Sequence, residues 1–508
     1  MLRVFWWRQK PRPLYHRAMP PSFLWYDLET FGLDSRGDRI AQFAAVRSNA
    51  RLEPIGERLV SYLRPTPDYL PSPESCLVHG ITPQHATEVG LSEYEFARML
   101  RAEMTEPATT SVGFNTAQFD DEFVRNLFYR NLFDPYEREW ANSCSRWDII
   151  DLARAARDLR PEGIVWPTDE DGKPVFRLEA LAKANGIAHE SAHDATSDVL
   201  ATLGFARLLR ERQPKLFEWQ LRHRGKKALR PLIKLDERAP LVHSSALHTG
   251  PGGCSTLVAP LAFDPNRENQ LIAIDLRFDP GDILDLPVEE LRRRVFTKKD
   301  ELDVPRLPLV NIQLNRSPFL AEAKVMDGPT AARLGIDLGA CERNRIMLTK
   351  SRELLQKLVA VYAMPEPLER PDDPDLCIYS GGFFLEEDRE KMGRIHAMLA
   401  TSGPAAVKQE LYSLRFVDER LPQMIRRLYG RNFPETLGSE EARRWRDFCA
   451  SRLQHPPAAK ATSIAAYARM IEQRLADPST PARDRGMLQA LLAWKDGLER
   501  EVLSYKGN

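Results

Sequence analysis

The stretch Phe23-Leu24-Trp25-Tyr26-Asp27-Leu28-Glu29-Thr30-Phe31-Gly32 decides the fold. Its first half is apolar and aromatic, of high β-propensity, and it closes on a turn-permissive glycine. That predicts a buried strand running out to a sheet edge. Side chains alternate across a strand, so Asp27 and Glu29 point the same way. Two carboxylates on one face at the end of a buried strand repel each other and are costly to desolvate, so a cation belongs between them. Mg²⁺ suits the place, because it takes carboxylate, water and phosphate oxygens without a closed protein cage. An Asp-x-Glu pair alone carries little weight.

Two further acidic stretches give it weight. Gly113-Phe114-Asn115-Thr116-Ala117-Gln118-Phe119-Asp120-Asp121-Glu122 has an apolar lead-in, a turn-forming Asn115, and acids where a helix begins. His193-Asp194-Ala195-Thr196-Ser197-Asp198 precedes a helical run over 199–209. Asp194 is placed to cap that helix, which leaves His193 on the preceding loop and Asp198 about one turn inside. A mobile imidazole beside a rigidly held carboxylate is what metal-assisted hydrolysis asks for. For the middle stretch the sequence by itself offers both Asp120 and Asp121.

In order and separation, Asp27-x-Glu29, Asn115 with Phe119-Asp120, and His193 with Asp198 resemble the three motifs of the DEDDh 3′→5′ exonucleases. Glu29-Thr-Phe-Gly32, Ala41-Gln-Phe-Ala-Ala45, Phe119-Asp-Asp-Glu122, Phe128-Tyr-Arg-Asn131, Ser145-Arg-Trp-Asp148, Leu159-Arg-Pro-Glu-Gly163 and Lys183-Ala-Asn-Gly-Ile187 further resemble the bacterial exodeoxyribonuclease I family. Pro240-Leu-Val-His243, Val258-Ala-Pro-Leu261 and Arg431-Asn-Phe-Pro434 extend the likeness over nearly the whole chain. The resemblance implies a ribonuclease-H-like fold and selects Asp120 over Asp121. Asp27, Glu29, Asp120 and Asp198 are then expected to hold two divalent cations, Mg²⁺ with Mn²⁺ as a substitute. His193, neutral near pH 7, is expected to take the proton from the attacking water, releasing nucleoside 5′-monophosphates from a 3′ end.

With 508 residues the chain is too long for one core. Its 72 basic and 72 acidic residues cancel, so any surface that attracts nucleic acid must be local. Six scattered cysteines without a Cys-x-x-Cys pair predict a reduced protein with no structural zinc. No apolar run reaches the length of a membrane span, and no secretory signal is recognisable, so a soluble cytoplasmic protein is expected. Residues 1–20 are basic and proline-rich, and read as a disordered extension.

The expected architecture is α/β followed by two smaller domains. Residues 21–212 alternate strand-like runs (40–47, 55–63, 111–114) with helical ones (93–105, 121–131, 147–158, 178–185, 198–212), which predicts a mixed sheet with helices packed on it. Residues 213–365 read as a β-rich domain, with strands over 256–262, 271–276 and 310–314 and a charged helix over 288–297. By resemblance it is an SH3-like barrel. The acidic, proline-rich 366–375 reads as a linker, and amphipathic helices over 389–400, 421–429, 440–453, 463–475 and 485–503 make 366–508 an all-helical domain.

Basic and aromatic residues interleave between 125 and 177, as a surface that stacks bases and follows phosphates should. Some of them must be core, Phe128 and Trp147 first. By resemblance Glu29, Arg125, Tyr136, Trp140, Arg154 and Arg177 touch DNA, with Arg177 near the scissile end. The run 222–234 carries six basic residues and no acid, and reads as either a solvated linker or a phosphate-tracking strip that includes Lys226. The two added domains are expected to close around a single strand, giving processive digestion by a monomer. The family resemblance also implies docking of the acidic C-terminal tail of single-strand-binding protein on a patch matched by Arg160 and Trp219. Ala239 stands where the pattern has a lysine, which weakens that match. The rival readings are an exoribonuclease and a non-catalytic single-strand-binding scaffold.

Overall fold

A computed structural model describes residues 21–188, 195–250, 252–351, 353–363, 371–457 and 462–503. The basic extension 1–20, the loop carrying His193 and Asp194, and the first half of the expected linker, 366–370, lie outside the described residues.

The first sheet is built from β1 (Ser22–Thr30), β2 (Ile40–Ser48), β3 (Leu59–Tyr62), β4 (Thr109–Gly113) and β5 (Ser145–Asp148). Its order is β3-β2-β1-β4-β5, with β1 antiparallel to β2 and parallel to β4. The opening stretch is therefore the central strand, and helices cover both faces. These are α1 (Pro73–His79), α2 (Pro83–Val89), α3 (Glu93–Met104), α4 (Asp120–Arg130), α5 (Ile150–Leu159), α6 (Leu178–Ala184), α7 (Ala195–Arg212) and α8 (Pro214–His223).

The period-two pattern of β1 divides the molecule's interior. Phe23 and Trp25 enter a core shared with α5, α7, α8 and the second sheet. Leu24, Tyr26 and Leu28 enter another, shared with α3, α4 and the C-terminal helices. Asp27 and Glu29 continue the first face to the open end of the strand.

The second sheet is wholly antiparallel: β6 (Leu241–Ser244), β7 (Ser255–Phe263), β8 (Gln270–Asp275), β9 (Leu309–Gln313) and β10 (Phe319–Glu322), in the order β10-β6-β7-β8-β9. Residues beyond 371 are helical, with Glu386–Ser402, Leu421–Asn432, Ser439–Gln454, Ile464–Ala476 and Ala482–Leu498 the longest elements.

Several sequence expectations are corrected. Residues 145–148 form β5, where a helix over 147–158 was expected to begin; Trp147 is buried against Phe217 at 5.1 Å, which fixes a strand conformation before α5 starts. The strand expected over 55–63 shrinks to β3, and β6 and β10, four residues each, had too little pattern to be seen. The basic run 222–234 is folded: it ends α8, forms the short helix Lys226–Leu229, and buries Leu229 under the second sheet. The described end of the expected linker is also buried. Asp375 and Asp68 share the Arg431 guanidinium, Arg427 and Arg452 also reach Asp375, and Asp373 binds Arg452 at 2.6 Å. Phe128 and Trp147 are core, as their type and position predict. All six cysteines are buried and unbridged, and no helix among the described residues is long and apolar enough to cross a membrane.

Candidate active site

Three carboxylates meet at the end of β1. Oxygens of Asp27, Glu29 and Asp198 all lie within 4.8 Å of one another, the first two delivered by strand parity and the third by the first turn of α7, which packs on β1. Asp120, the first residue of α4, is 6% exposed and is the strongest charge acting on Asp27. The turn that aims it is set locally. Asn115 takes a left-handed conformation, φ 65°, and the Asp148 carboxylate accepts the backbone N–H groups of Asn115 at 2.8 Å and Ala117 at 3.0 Å. Gly113 leaves no room for a side chain, because a Cβ there would meet Thr116 at 2.1 Å.

Burial raises the Asp27 carboxyl well above its ordinary range, and the charges of Asp120, Asp198 and Glu29 add to it. Asp120 is pushed up to about 8, by burial first and then by Asp121. Asp27 and Asp120 thus resist ionisation, and a cluster of four acids that offers only hard oxygen donors fits a small divalent cation. Asp121 faces the opposite way. It accepts from the Tyr26 hydroxyl at 2.6 Å and from Arg138 and Arg146, and those guanidiniums outweigh its burial and hold it below the usual carboxylate range. Of the two adjacent acids, Asp120 thus faces the cluster. His193, expected beside it, lies outside the described residues.

The residues expected to touch DNA lie in several parts of the structure. Arg125 is almost wholly buried, bonded to Glu122 at 2.7 Å and to Glu139 at 2.7 Å, with its guanidinium 5.3 Å over the Tyr136 ring. Tyr136 and the exposed Trp140 line a cleft of about 770 Å³ together with Arg101, Phe383, Arg389 and His396, so the C-terminal helices supply its other wall. Arg154 pairs with Asp151 at 2.6 Å and lies 5.7 Å over Phe176. Arg177 is exposed ahead of α6, and Lys226 opens its short helix half-buried. Arg160 reaches the Val325 carbonyl at 3.3 Å, while Trp219 donates to the Leu320 carbonyl at 2.9 Å and stacks on His223. Both therefore sit at the seam with the second sheet.

Sequence reasoning missed Asp148 as the brace of the second motif, although an aspartate two residues ahead of the helix start Ile150, whose N–H it also accepts, is a readable cap. It also missed Arg316 and Tyr379, which reach Glu122 from other domains and carry no local signal.

Three family models match the chain. Residues 24–205 match an exonuclease model, 224–364 the exonuclease I SH3-like domain, and 372–498 the exonuclease I C-terminal domain. Exodeoxyribonuclease I of Haemophilus influenzae is 41% identical over 436 residues, covering 85% of this chain and 91% of that protein. The Escherichia coli enzyme is 41% identical over 425 residues, covering 84% and 88%. Among solved structures, exonuclease I from Methylocaldum szegediense superposes with a TM-score of 0.88 at 41% identity, covering 94% of this chain and 99% of that one. E. coli exonuclease I in complex with a dA16 oligonucleotide gives 0.88 at 38% identity, covering 94% and 100%. A carboxylate cluster on a mixed sheet, an antiparallel second sheet, a helical third part and full-length similarity lead to one conclusion: the chain belongs to the exodeoxyribonuclease I family.

Proposed function

We propose that this chain is a nuclease hydrolase that removes nucleotides from the 3′ end of single-stranded DNA as 5′-monophosphates. The observation that carries the reading is the convergence of Asp27, Glu29 and Asp198 on one point, with Asp120 close enough to act on Asp27. Support comes from relatives named exodeoxyribonuclease I and from solved structures of E. coli exonuclease I with bound oligonucleotides.

The same four acids would hold two Mg²⁺ ions, with Mn²⁺ as a substitute, and zinc is bound in one E. coli exonuclease I–single-stranded DNA structure. Bound there, the ions supply a water of lowered pKa and charge stabilisation for the leaving 3′-oxygen. The chain's residues do the rest. Asp27 and Glu29 fix the cluster to the sheet, Asp198 ties it to α7, and Asp120 closes it from α4. His193 would accept the proton of the attacking water. Arg125, Tyr136, Trp140, Arg154, Arg177 and Lys226 would guide the strand toward Glu29 and the cluster, and Arg160 with Trp219 would receive the tail of single-strand-binding protein. A solved structure of single-strand-binding protein with exonuclease I supports such a partner, while the choice of Arg160 and Trp219 rests on the sequence resemblance.

Processive action as a cytoplasmic monomer, with domains at 21–212, 213–365 and 366–508 closing on the strand, completes the proposal. The test is digestion of a 5′-labelled single-stranded DNA oligomer with Mg²⁺, beside EDTA, RNA and His193→Ala controls. Shortening from the 3′ end that stops in EDTA and collapses in His193→Ala supports the reading. DNA bound but left at full length would make the chain a scaffold, and equal digestion of RNA would make it an exoribonuclease.

A further inference from the structure

Helix α4 opens with three consecutive acids, and each goes to a different place. Asp120 faces the carboxylate cluster. Asp121 is clamped by Tyr26, Arg138 and Arg146. Glu122 reaches out of the nuclease domain: one oxygen accepts from Arg125 at 2.7 Å and from Arg316 at 3.3 Å, and the other from the Tyr379 hydroxyl.

Arg316 lies in the turn between β9 and β10 of the second sheet, and Tyr379 follows the buried turn Pro374–Leu376 that leads into the C-terminal helices. The residue before Arg316 takes part as well. The Asn315 carbonyl accepts from the second terminal nitrogen of Arg146, whose first holds Asp121 at 2.5 Å. One hairpin tip therefore grips both acids that follow Asp120, Glu122 directly and Asp121 through Arg146. The junction is sheltered, with side-chain exposures of 4% for Asp121, 13% for Glu122 and 5% for Arg125. Charge-assisted hydrogen bonds in such surroundings are strong and geometrically restrictive. Successive helical residues are about 100° apart on a rigid backbone, so anchoring two of these acids fixes the direction of the third.

We propose that Glu122, Arg316 and Tyr379 are positioning residues through which the central and C-terminal domains set the placement of Asp120. Those domains are then part of the catalytic scaffold as well as a hold on the strand. The inference rests on the reading of Asp120 as a cation-holding acid. It gives Tyr379 and Arg316 a task distinct from contacting DNA, and the two tasks separate experimentally.

The full-length protein is compared with Glu122→Gln and with Tyr379→Phe, which keeps the ring for any stacking role and removes only the hydroxyl. Mn²⁺ binding is measured by calorimetry without DNA, strand affinity by fluorescence anisotropy in EDTA, and kcat and KM with Mg²⁺. Glu122→Gln is expected to weaken Mn²⁺ binding and lower kcat by roughly 10-fold, the effect typical of losing a residue that orients a metal ligand. Tyr379→Phe shifts both in the same direction by less, strand affinity in EDTA stays at the wild-type value, and the double variant is no worse than Glu122→Gln alone. Unchanged Mn²⁺ binding in both variants overturns the proposal, whether the loss then appears in strand affinity and KM or nowhere. Asp120→Asn binding Mn²⁺ as well as wild type would instead overturn the assignment of the acid itself.

Discussion

Asp120 sits in a site that resists its charge. Its carboxyl is pushed up to about 8 by burial and by Asp121, against an ordinary value of 3.8. In the unfolded chain it ionises near pH 4, whereas in the cation-free fold it holds its proton to about 8. The cation-free protein therefore loses stability as pH rises through this window, and bound cation restores it. Two outcomes follow for thermal melts. Stabilisation by Mg²⁺ over EDTA should grow from pH 5.5 to pH 8, and Asp120→Asn should melt several degrees above wild type in EDTA while losing more than ~100-fold in nuclease rate. A lower melting temperature for Asp120→Asn would contradict this account. The acids were legible in the sequence because each lies inside a local pattern of strand parity or helix start. Which of Asp120 and Asp121 faces the cluster was not, since that depends on Arg138 and Arg146 meeting Asp121 from later in the chain.

Helix Glu386–Ser402 meets the nuclease domain through buried Met392, Ile395 and Leu399 and through one imidazole. His396 stacks on Phe133 at 3.9 Å, donates from Nε2 to the Leu132 carbonyl at 2.9 Å, and accepts the Tyr94 hydroxyl at Nδ1, 3.0 Å away. Burial holds it down to about 4, with Arg101 adding to the shift against the Leu132 carbonyl. The folded value lies below the unfolded one, so its contribution is complete above about pH 6.5 and is lost as pH falls toward 4, roughly 3 kcal/mol in all. Denaturant melts of His396→Gln between pH 4 and 7 should show a shallower pH slope than wild type; equal slopes would remove His396 from the account. At this scale the sequence revealed long amphipathic elements and hid short ones. Helix Glu386–Ser402 carries enough turns to show its period, whereas α1 and α2, seven residues each with proline near the start, do not. The strand β5 was hidden by the helix that follows one residue later.

The three parts of the molecule are joined by charge as well as by apolar surface. Asp68, fully buried, is met by Arg39 at 3.3 Å, Arg431 at 2.9 Å and Arg452 at 3.2 Å, the last two from the C-terminal helices. Burial pushes Asp68 up, but Arg431, Arg39 and Arg452 outweigh it and hold the carboxyl well below its ordinary range. Removing that charge leaves buried guanidiniums uncompensated, so Asp68→Asn should cost about 3–5 kcal/mol in a denaturant melt. A loss under ~1 kcal/mol would mean that water or the remaining acids make good the deficit. None of this was readable from 366–375, where proline and acid have the composition of a linker; burial of Asp375 is decided by arginines more than fifty residues later.

The six cysteines matter for how such a molecule can be watched at work. All are buried, and burial raises the thiols of Cys76 to about 12 and Cys341 to about 11, away from the reactive thiolate. The native protein should thus ignore maleimide dyes while the denatured chain takes up six. A cysteine introduced at exposed Phe383 or Trp140 would then be the single labelled position, and cysteines at both would put a dye on each wall of the cleft and report its width, molecule by molecule, with and without single-stranded DNA.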